Sequence, residues 1–508
     1  MPAPDGTPLA TDLCLPAGPG PHPAVLVRTP YDRTRHRAEL RGWARRGFAA
    51  LAQDVRGRYG SAGRWHPYRQ EAADGAATAR WVRARSWSDG RLLAAGASYA
   101  AHCALVLALD PAVREEEDAA PDAVLAAVPA LGAADTAREA SGPERLLARA
   151  GWWAAHGDRP DSDERALAAV LATDPDALGH LPVEELPRRF GRPLPSWPAL
   201  WRTGDRGRLL RLAPGSNVPL LAVGGTHDPF LAQTLALWRA WGAPAARLLL
   251  GPWGHGLTAA PGPDATAAHR LPLGPLYAAW ARAALEGRLA AAPHGAVGLG
   301  GSPLWLPVPG ARACARWPFG RRGGLRLLSG ATFTAHPARP VRSDDLRVPV
   351  PDGPGHRAAD RCLLAGPPLD RPLDLLGAAA VRLRATADTP AADWVARLTA
   401  LTPAGTARHL ATGVVRRAEV PGRAGDTTVP LGFLALRLPA GTRLRLEIAG
   451  HHFPAHARNP HTGADPVTAA VPRPSRRTVH PAHSALLLPA VPACRPADAV
   501  DPRQEICR

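Results

Sequence analysis

Short apolar runs alternate with helical patterns over the first part of the chain. Residues 24–27 are a continuous apolar run, which is typical of a strand buried on both faces of a sheet, and residues 47–55 predict another buried strand. Residues 38–46 and 71–83 have apolar positions spaced for one face of a helix. Strands that alternate with helices in this way predict a largely parallel α/β sheet. Residues 7–15 alternate and precede a turn rich in Pro and Gly, which predicts a hairpin-like start in front of the 24–27 strand.

The pattern changes twice further along the chain. Strand signals are absent from about 140 to 211, where short helices interrupted by Pro predict an insert that caps the sheet. Runs 218–223 and 247–250 resume the α/β pattern, and past about 295 short alternating runs predict an antiparallel jelly roll. The predicted domains are the first part of an α/β domain (1–140), a helical cap insert (141–211), the second part of the α/β domain (212–295) and a C-terminal jelly-roll domain (296–508).

Composition narrows the classes of partner. The 508 residues include 61 Arg and Lys together, all of them Arg, and the formal net charge is +17. The arginines are scattered rather than gathered in a stripe or tail, so nucleic-acid binding is not expected. The six cysteines have no paired spacing, which argues against a zinc cluster or a disulfide framework; they are Cys14, Cys103, Cys314, Cys362, Cys494 and Cys507. The N-terminus has no signal-like pattern and no run of about 18 apolar residues follows, so we expect a cytoplasmic protein without a membrane contact.

One stretch carries a candidate nucleophile. Residues 91–105 predict a strand, a tight turn with Ser98 at its tip, and a helix. A serine between small residues at such a turn holds its hydroxyl clear of the sheet, and the first N–H groups of the helix point at the group that it attacks. The usual elbow pattern is Gly-x-Ser-x-Gly, and here Ala100 stands at its fifth position. On this stretch alone, a buried or helix-capping serine is the alternative.

Two residues behind later strands are candidates for the rest of a catalytic triad. A serine hydroxyl needs a base that takes its proton, and that base needs a carboxylate that holds its tautomer. Asp228 follows the 218–223 strand, and His255 follows the 247–250 strand. The order Ser, Asp, His, with each residue behind a strand, is that of the α/β-hydrolase arrangement. His227 is the rival base, but beside Asp228 it lies on the wrong side of the turn for both to point inward.

Several motifs together resemble one family. They are Arg28-Thr29-Pro30-Tyr31, Gln53-Asp54-Val55-Arg56-Gly57-Arg58, Trp87-Ser88-Asp89-Gly90, Gly96-Ala97-Ser98-Tyr99, Thr226-His227-Asp228 and Gly251-Pro252-Trp253-Gly254-His255. The chain resembles the CocE/NonD hydrolases, which are serine hydrolases similar to cocaine esterase and X-Pro dipeptidyl-peptidase. Residues 443–448, 453–454 and 458–463 look like the family's C-terminal domain, so the resemblance runs nearly end to end. It implies an α/β hydrolase domain with a helical cap insertion, followed by a C-terminal all-β jelly-roll domain.

The resemblance also implies roles for single residues. Ser98 would be the nucleophile, His255 the general base and acid, and Asp228 the orienting carboxylate. Tyr31 would give its phenol hydroxyl to the oxyanion hole, together with the backbone N–H of Tyr99. The reaction needs no cofactor and no metal. Where the family's elbow usually has a further Gly, this chain has Ala101, which adds a methyl group where helix and strand pack closely.

The expected function is hydrolysis of esters or amides through an acyl-enzyme. An X-Pro dipeptidyl aminopeptidase is the alternative among enzymes, although the sequence offers no convincing acidic cluster for a free amino group. A catalytically inert jelly-roll binding protein is the alternative from another class. Trp152 and Trp153 are candidates for the acyl pocket, whereas His451, His452 and His456 lack metal-binding spacing, so no metal site is expected. The acyl group, the leaving group and the oligomeric state are left open, and a homodimer is possible.

Overall fold

The computed structural model describes residues 1–202, 204–308, 315–320, 324–344 and 359–508. One large sheet and one small hairpin account for the strands of the first part of the chain. They are β1 (Thr11–Cys14), β2 (His22–Thr29), β3 (Ala49–Asp54), β4 (Ser88–Ala97), β5 (Ala123–Ala127), β6 (Leu220–Gly225), β7 (Ala246–Gly251), β8 (Trp253–Gly254), β9 (Leu257–Pro261), β10 (His294–Gly298) and β11 (Trp305–Pro307). The sheet has the order β1-β3-β2-β4-β5-β6-β7-β10-β11, and β8 pairs with β9. All neighbours from β3 to β10 are parallel, as the alternating pattern predicts.

The predicted hairpin at the start of the chain is wrong. β1 pairs antiparallel with β3, with Asp12 opposite Ala52, and not with β2. The physical reason is that β2 has β3 on one side and β4 on the other, so only the outer edge of β3 is open. Arg33 holds the added strand in place, because its guanidinium bridges Asp12 at 2.9 Å and Asp54 at 2.6 Å.

Helices cover both faces of the sheet. They are α1 (Arg37–Ala44), α2 (Glu71–Arg83), α3 (Tyr99–Leu109), α4 (Pro111–Glu115), α5 (Ala133–Ala137), α6 (Leu146–His156), α7 (Ala166–Thr173), α8 (Trp197–Arg202), α9 (Arg208–Leu212), α10 (Leu231–Ala240) and α11 (Leu273–Leu285). Apolar residues of α2, α3 and α10 form the core on one face, and those of α1 and α11 form the core on the other. The helices α6 to α8 lie in the insert, where Trp153, Trp197 and Trp201 form a separate core. Among the described residues, every helix is too short or too polar to span a bilayer.

Two antiparallel sheets form the C-terminal part of the chain. Their strands are β12 (Ala315–Pro318), β13 (Arg326–Leu327), β14 (Thr332–Ala335), β15 (Arg361–Pro368), β16 (Leu373–Ala387), β17 (Ala391–Leu401), β18 (Ala407–Ala418), β19 (Gly425–Leu438), β20 (Arg443–Ala449), β21 (Ser475–Val479), β22 (Ala485–Leu488) and β23 (Ala490–Val491). One sheet has the order β13-β15-β20-β17-β18, and the other has β12-β22-β16-β21-β14, with β19 and β23 also paired to β16. Apolar side chains of both sheets share one core. The predicted fold class is confirmed; the domain boundaries stay predictions.

A last helix, α12 (Pro502–Cys507), returns from the β domain to the hydrolase sheet. It packs on β7, β10 and α11, and the side chain of Ile506 is fully buried there. Arg247 of β7 donates to the carbonyls of Ala292 at 2.7 Å and of Arg508. The five described cysteines are all free, and Cys314 lies outside the described residues.

An arginine whose side chain is 21% exposed joins the cap insert and the β domain. Arg416 of β18 donates to both carboxylate oxygens of Glu144 at 2.8 Å and to those of Asp393 at 2.8 and 2.9 Å. The side chains of Glu144 and Asp393 are only 1% and 4% exposed. Arg416 is therefore the cation that these two buried carboxylates share, and Arg138 Nε lies a further 3.4 Å from Glu144 Oε1.

Replacement of Arg416 by methionine leaves both carboxylates buried without that cation. We expect the free energy of unfolding to fall by about 3–5 kcal/mol, the usual cost of removing one partner from a buried ion pair. Urea denaturation of the full chain measures the loss. The neighbouring Arg417→Met variant is the control, because the Arg417 side chain is 33% exposed and lies 3.8 Å from Glu419, so its removal should cost less than about 1 kcal/mol. Equal losses in the two variants would contradict the assignment.

Candidate active site

Ser98 lies at the turn between β4 and α3, as the sequence predicts. Its backbone has φ 58° and ψ −118°, a strained conformation for a residue with a side chain. A β-carbon on Gly96 would come within 2.3 Å of the Ala100 carbonyl carbon, so the turn requires glycine at position 96. Ala100 and Ala101, which replace glycines of the usual patterns, are both buried in the helix–sheet packing. The fold therefore accommodates the extra methyl groups.

Asp228 and His255 form a hydrogen-bonded pair at the ends of neighbouring strands. His255 Nδ1 lies 2.7 Å from Asp228 Oδ1, and the Asp228 side chain is completely buried whereas that of His255 is 42% exposed. Among the described residues, Asp228 is the only hydrogen-bond partner of the His255 ring. Its Nε2 edge is therefore open, as a general base requires.

The rival base lies elsewhere. His227 Nε2 lies 2.6 Å from Asp264 Oδ1, and this pair lines a small recess that Arg408 and His409 of the β domain also border. Asp228 and His227 therefore point to opposite sides of their turn, as their adjacency predicts.

Tyr31 is placed against the candidate nucleophile. It follows β2, and its hydroxyl lies beside the Ser98 side chain. The same hydroxyl accepts a hydrogen bond from Trp152 Nε1 at 3.1 Å. Burial raises the pKa of Tyr31, so the phenol is protonated and able to donate.

Tyr99 contributes differently through its backbone and its side chain. Its N–H belongs to the first turn of α3, where N–H groups have no acceptor within the helix. Its phenol points away from the turn, donates to Glu71 and accepts from the backbone N–H of Tyr68 at 2.7 Å. Burial raises the pKa of Glu71 and of Tyr99, so this buried contact anchors the start of the helix without a phenolate.

The two candidate tryptophans of the acyl pocket face different surroundings. Trp152 contacts Tyr31 and lies 6.1 Å from the Tyr99 ring in a stacked arrangement. Trp153, one position on, points into the core of the cap insert, where its Nε1 donates to Ser196. The structure brings Trp152 to the site and places Trp153 behind it.

Several residues beside the site were not predicted from the sequence. Trp65 and Tyr68 pack with Tyr99 in one aromatic cluster, and Arg149 lies one helical turn before Trp152. Arg58 is fully buried and donates to the carbonyls of Pro30 at 2.9 Å and of Asp161 at 2.7 Å. Arg58 belongs to the motif Gln53–Arg58, and that position could have drawn attention to it. Trp65, Tyr68 and Arg149 carry no such signal in a single sequence.

The C-terminal histidines connect the β domain to the loop 226–229 that carries Asp228, which we call the acid loop. His456 Nε2 lies 3.0 Å from Glu139 Oε1, and His452 Nδ1 lies 3.3 Å from His456 Nδ1. Arg145 pairs with Glu139 and also donates to the carbonyl of Pro229, directly after Asp228. These contacts fix the acid loop from the side of the cap insert.

A strained serine at a strand-to-helix turn, with an acid–histidine pair behind later strands, is the arrangement of the α/β-hydrolase class of serine hydrolases. Comparisons with known proteins support the same class. Residues 5–257 match the model of the X-Pro dipeptidyl-peptidase (S15 family), and residues 301–487 match that of the X-Pro dipeptidyl-peptidase C-terminal non-catalytic domain. Cocaine esterase of Rhodococcus sp. (strain MB1 Bresler) is 26% identical, with 97% of each chain covered.

Two solved structures share the whole architecture. An aminopeptidase from a marine sediment archaeon, Thaumarchaeota archaeon, superposes with a TM-score of 0.77 at 19% identity, covering 97% of this chain and 95% of that one. An α-amino acid ester hydrolase superposes with a TM-score of 0.76 at 19% identity, covering 96% and 95%. The chain belongs to the CocE/NonD family of serine hydrolases, as the motifs indicate.

Proposed function

We propose that this chain hydrolyses carboxylic esters through an acyl-enzyme formed on Ser98. The observation that carries the proposal is the hydrogen bond between His255 and the buried Asp228, 2.7 Å long, at the same edge of the sheet as the strained turn of Ser98. A retained acid–base pair with an open Nε2 is of no use to an inert scaffold. It therefore favours an enzyme over a jelly-roll binding protein.

In the proposed reaction, His255 Nε2 takes the proton of the Ser98 hydroxyl as the oxygen attacks the substrate carbonyl. Asp228 holds the proton on Nδ1 and stabilises the imidazolium that forms. The oxyanion of the tetrahedral intermediate accepts from the Tyr31 hydroxyl and the Tyr99 N–H. His255 then returns the proton to the leaving alcohol. A water molecule, deprotonated by His255, next attacks the acyl-enzyme in the same way, which releases the carboxylic acid and restores the Ser98 hydroxyl.

A panel of p-nitrophenyl acyl esters and Xaa-Pro p-nitroanilides tests this proposal, with intact-mass detection of acylation by a fluorophosphonate. We expect ester turnover and a single acylated serine, located at Ser98 by peptide mapping. Turnover of the Xaa-Pro amides at a comparable kcat/KM would favour the dipeptidyl aminopeptidase instead. A folded sample with neither turnover nor acylation would overturn the hydrolase mechanism.

Removal of the Tyr31 hydroxyl tests the proposed oxyanion hole. In the Tyr31→Phe variant one of the two oxyanion donors is lost, and we expect kcat to fall by about 10²-fold with a small change in KM. The matched control is Tyr277→Phe, because that hydroxyl is buried without a hydrogen-bond partner among the described residues. A change in KM alone in Tyr31→Phe would show that Tyr31 binds substrate and does not stabilise the oxyanion.

A further inference from the structure

A buried cation lies beside the proposed site and takes no part in the reaction derived above. Arg149 is on α6, three positions before Trp152 and seven before His156, so all three share one face of that helix. Its guanidinium carbon lies 6.0 Å from the centre of the Trp152 ring. Trp152 in turn donates to the Tyr31 hydroxyl, which lies beside Ser98.

Arg149 has no counter-charge. The residue is only 5% exposed, its Nε has no hydrogen-bond partner among the described residues, and the Tyr68 side chain lies beside it. No carboxylate within the described ranges forms an ion pair with it. Burial lowers the pKa of Arg149, and the neighbouring cation Arg145 acts in the same direction. A guanidinium nevertheless stays charged at neutral pH.

Several other arginines of this chain are compensated. The buried Arg397 meets Glu447 at 2.6 Å, and the partly exposed Arg416 meets two carboxylates. Arg58 has backbone carbonyls and the Ser162 hydroxyl around its guanidinium. Because an uncompensated buried charge is costly, an arginine left without an anion beside an active site is a place where a ligand can supply one.

We propose that Arg149 binds a carboxylate on the substrate, so that the enzyme prefers esters with a free carboxylate over neutral esters of the same size. The inference rests on the proposed ester hydrolysis and names the substrate class of that site. It also opposes the aminopeptidase alternative, because a cation beside the site repels the free ammonium group of an X-Pro substrate.

Two matched pairs of esters test the proposal, with enzyme-free rates subtracted. The mono-p-nitrophenyl ester of glutaric acid is compared with p-nitrophenyl valerate, which places the carboxylate on the acyl side. 3-Acetoxybenzoate is compared with 3-methylphenyl acetate, which places it on the leaving group. We expect kcat/KM to favour the anionic member of at least one pair by about tenfold or more, and Arg149→Met to lose that preference.

The matched control is Arg192→Met. Arg192 also lies in the cap insert, but it donates to the backbone carbonyls of Trp153, Ala154 and Gly157 at 2.9 to 3.0 Å. This variant should keep the ratio between anionic and neutral esters. If neither pair shows a preference in the wild type, or if Arg149→Met keeps it, the assignment is wrong.

A second measurement does not depend on the folding of a variant. Benzoate should inhibit wild-type turnover of p-nitrophenyl valerate at a concentration at least tenfold lower than benzamide does, and equal inhibition would overturn the proposal. If the enzyme turns over neutral esters and shows no preference for anionic ones, the proposed role of Arg149 is wrong and the proposed ester hydrolysis stands. Absence of all turnover and of Ser98 acylation removes the proposed function itself.

Discussion

Replacement of Ser98 by alanine is expected to abolish ester turnover, with kcat falling by about 10⁵- to 10⁶-fold. The reason is that the other groups of the proposed site work only when the Ser98 oxygen attacks the substrate. His255 takes the proton of that oxygen, and the Tyr31 hydroxyl and the Tyr99 N–H stabilise the oxyanion that the attack creates. Alanine removes only the oxygen and preserves the β-carbon at the turn. The measurement is kcat for p-nitrophenyl valerate, together with the intact mass after fluorophosphonate treatment.

The control for this variant is Ser216→Ala. Ser216 is 6% exposed, and its hydroxyl has no partner among the described residues, so its loss should leave both activity and labelling unchanged. Circular dichroism and thermal unfolding confirm that both variants fold. Residual turnover above about 1% of wild type in Ser98→Ala, or labelling that persists there, would assign the nucleophile to another residue.

The second large effect is expected at the acid. In Asp228→Asn the amide can donate to His255 Nδ1 and so favours the tautomer that carries its proton on Nε2, where the base has to accept one. We expect kcat to fall by about 10⁴-fold, with a much smaller change in KM, because the loss acts on the transition state. Steady-state kinetics on the neutral esters measures the split.

A second aspartate–histidine pair provides the matched control. Asp264→Asn makes the same chemical change to a carboxylate that lies 2.6 Å from His227. This variant should keep kcat within about tenfold of wild type. If Asp264→Asn loses more activity than Asp228→Asn, His227 and not His255 is the base.

The local sequence correctly predicted those elements whose conformation depends on interactions between residues close together in the chain. The helix predicted at 71–83 is α2, and the apolar run before the serine is β4. The turn at Ser98 was predictable because Gly96 is required there by the close approach of Ala100. The order of Ser98, Asp228 and His255 behind three strands reflects a parallel sheet, whose carboxyl ends meet at one edge.

Features that depend on partners distant in sequence were not predictable. The pairing of β1 with β3 depends on which edge of the sheet remains open, and residues 7–29 do not contain that information. Trp152 and Trp153 are adjacent and identical in type, yet the rotation of α6 directs one to Tyr31 and the other to the cap core. Arg149 looks like any other arginine of an arginine-rich chain, and only its burial distinguishes it.

The return of α12 to the hydrolase sheet has a consequence for biosynthesis. Ile506 completes the apolar layer over β7 and β10, and His294 of β10 meets Glu505 at 3.1 Å. The ribosome reaches these residues only after it has made the whole β domain. Domains generally fold in the order in which they emerge from the ribosome. We therefore expect the apolar surface over β7 and β10 to stay exposed to solvent until α12 has been synthesised. A nascent chain stalled before position 500 should bind a chaperone through that surface, whereas the released chain should not.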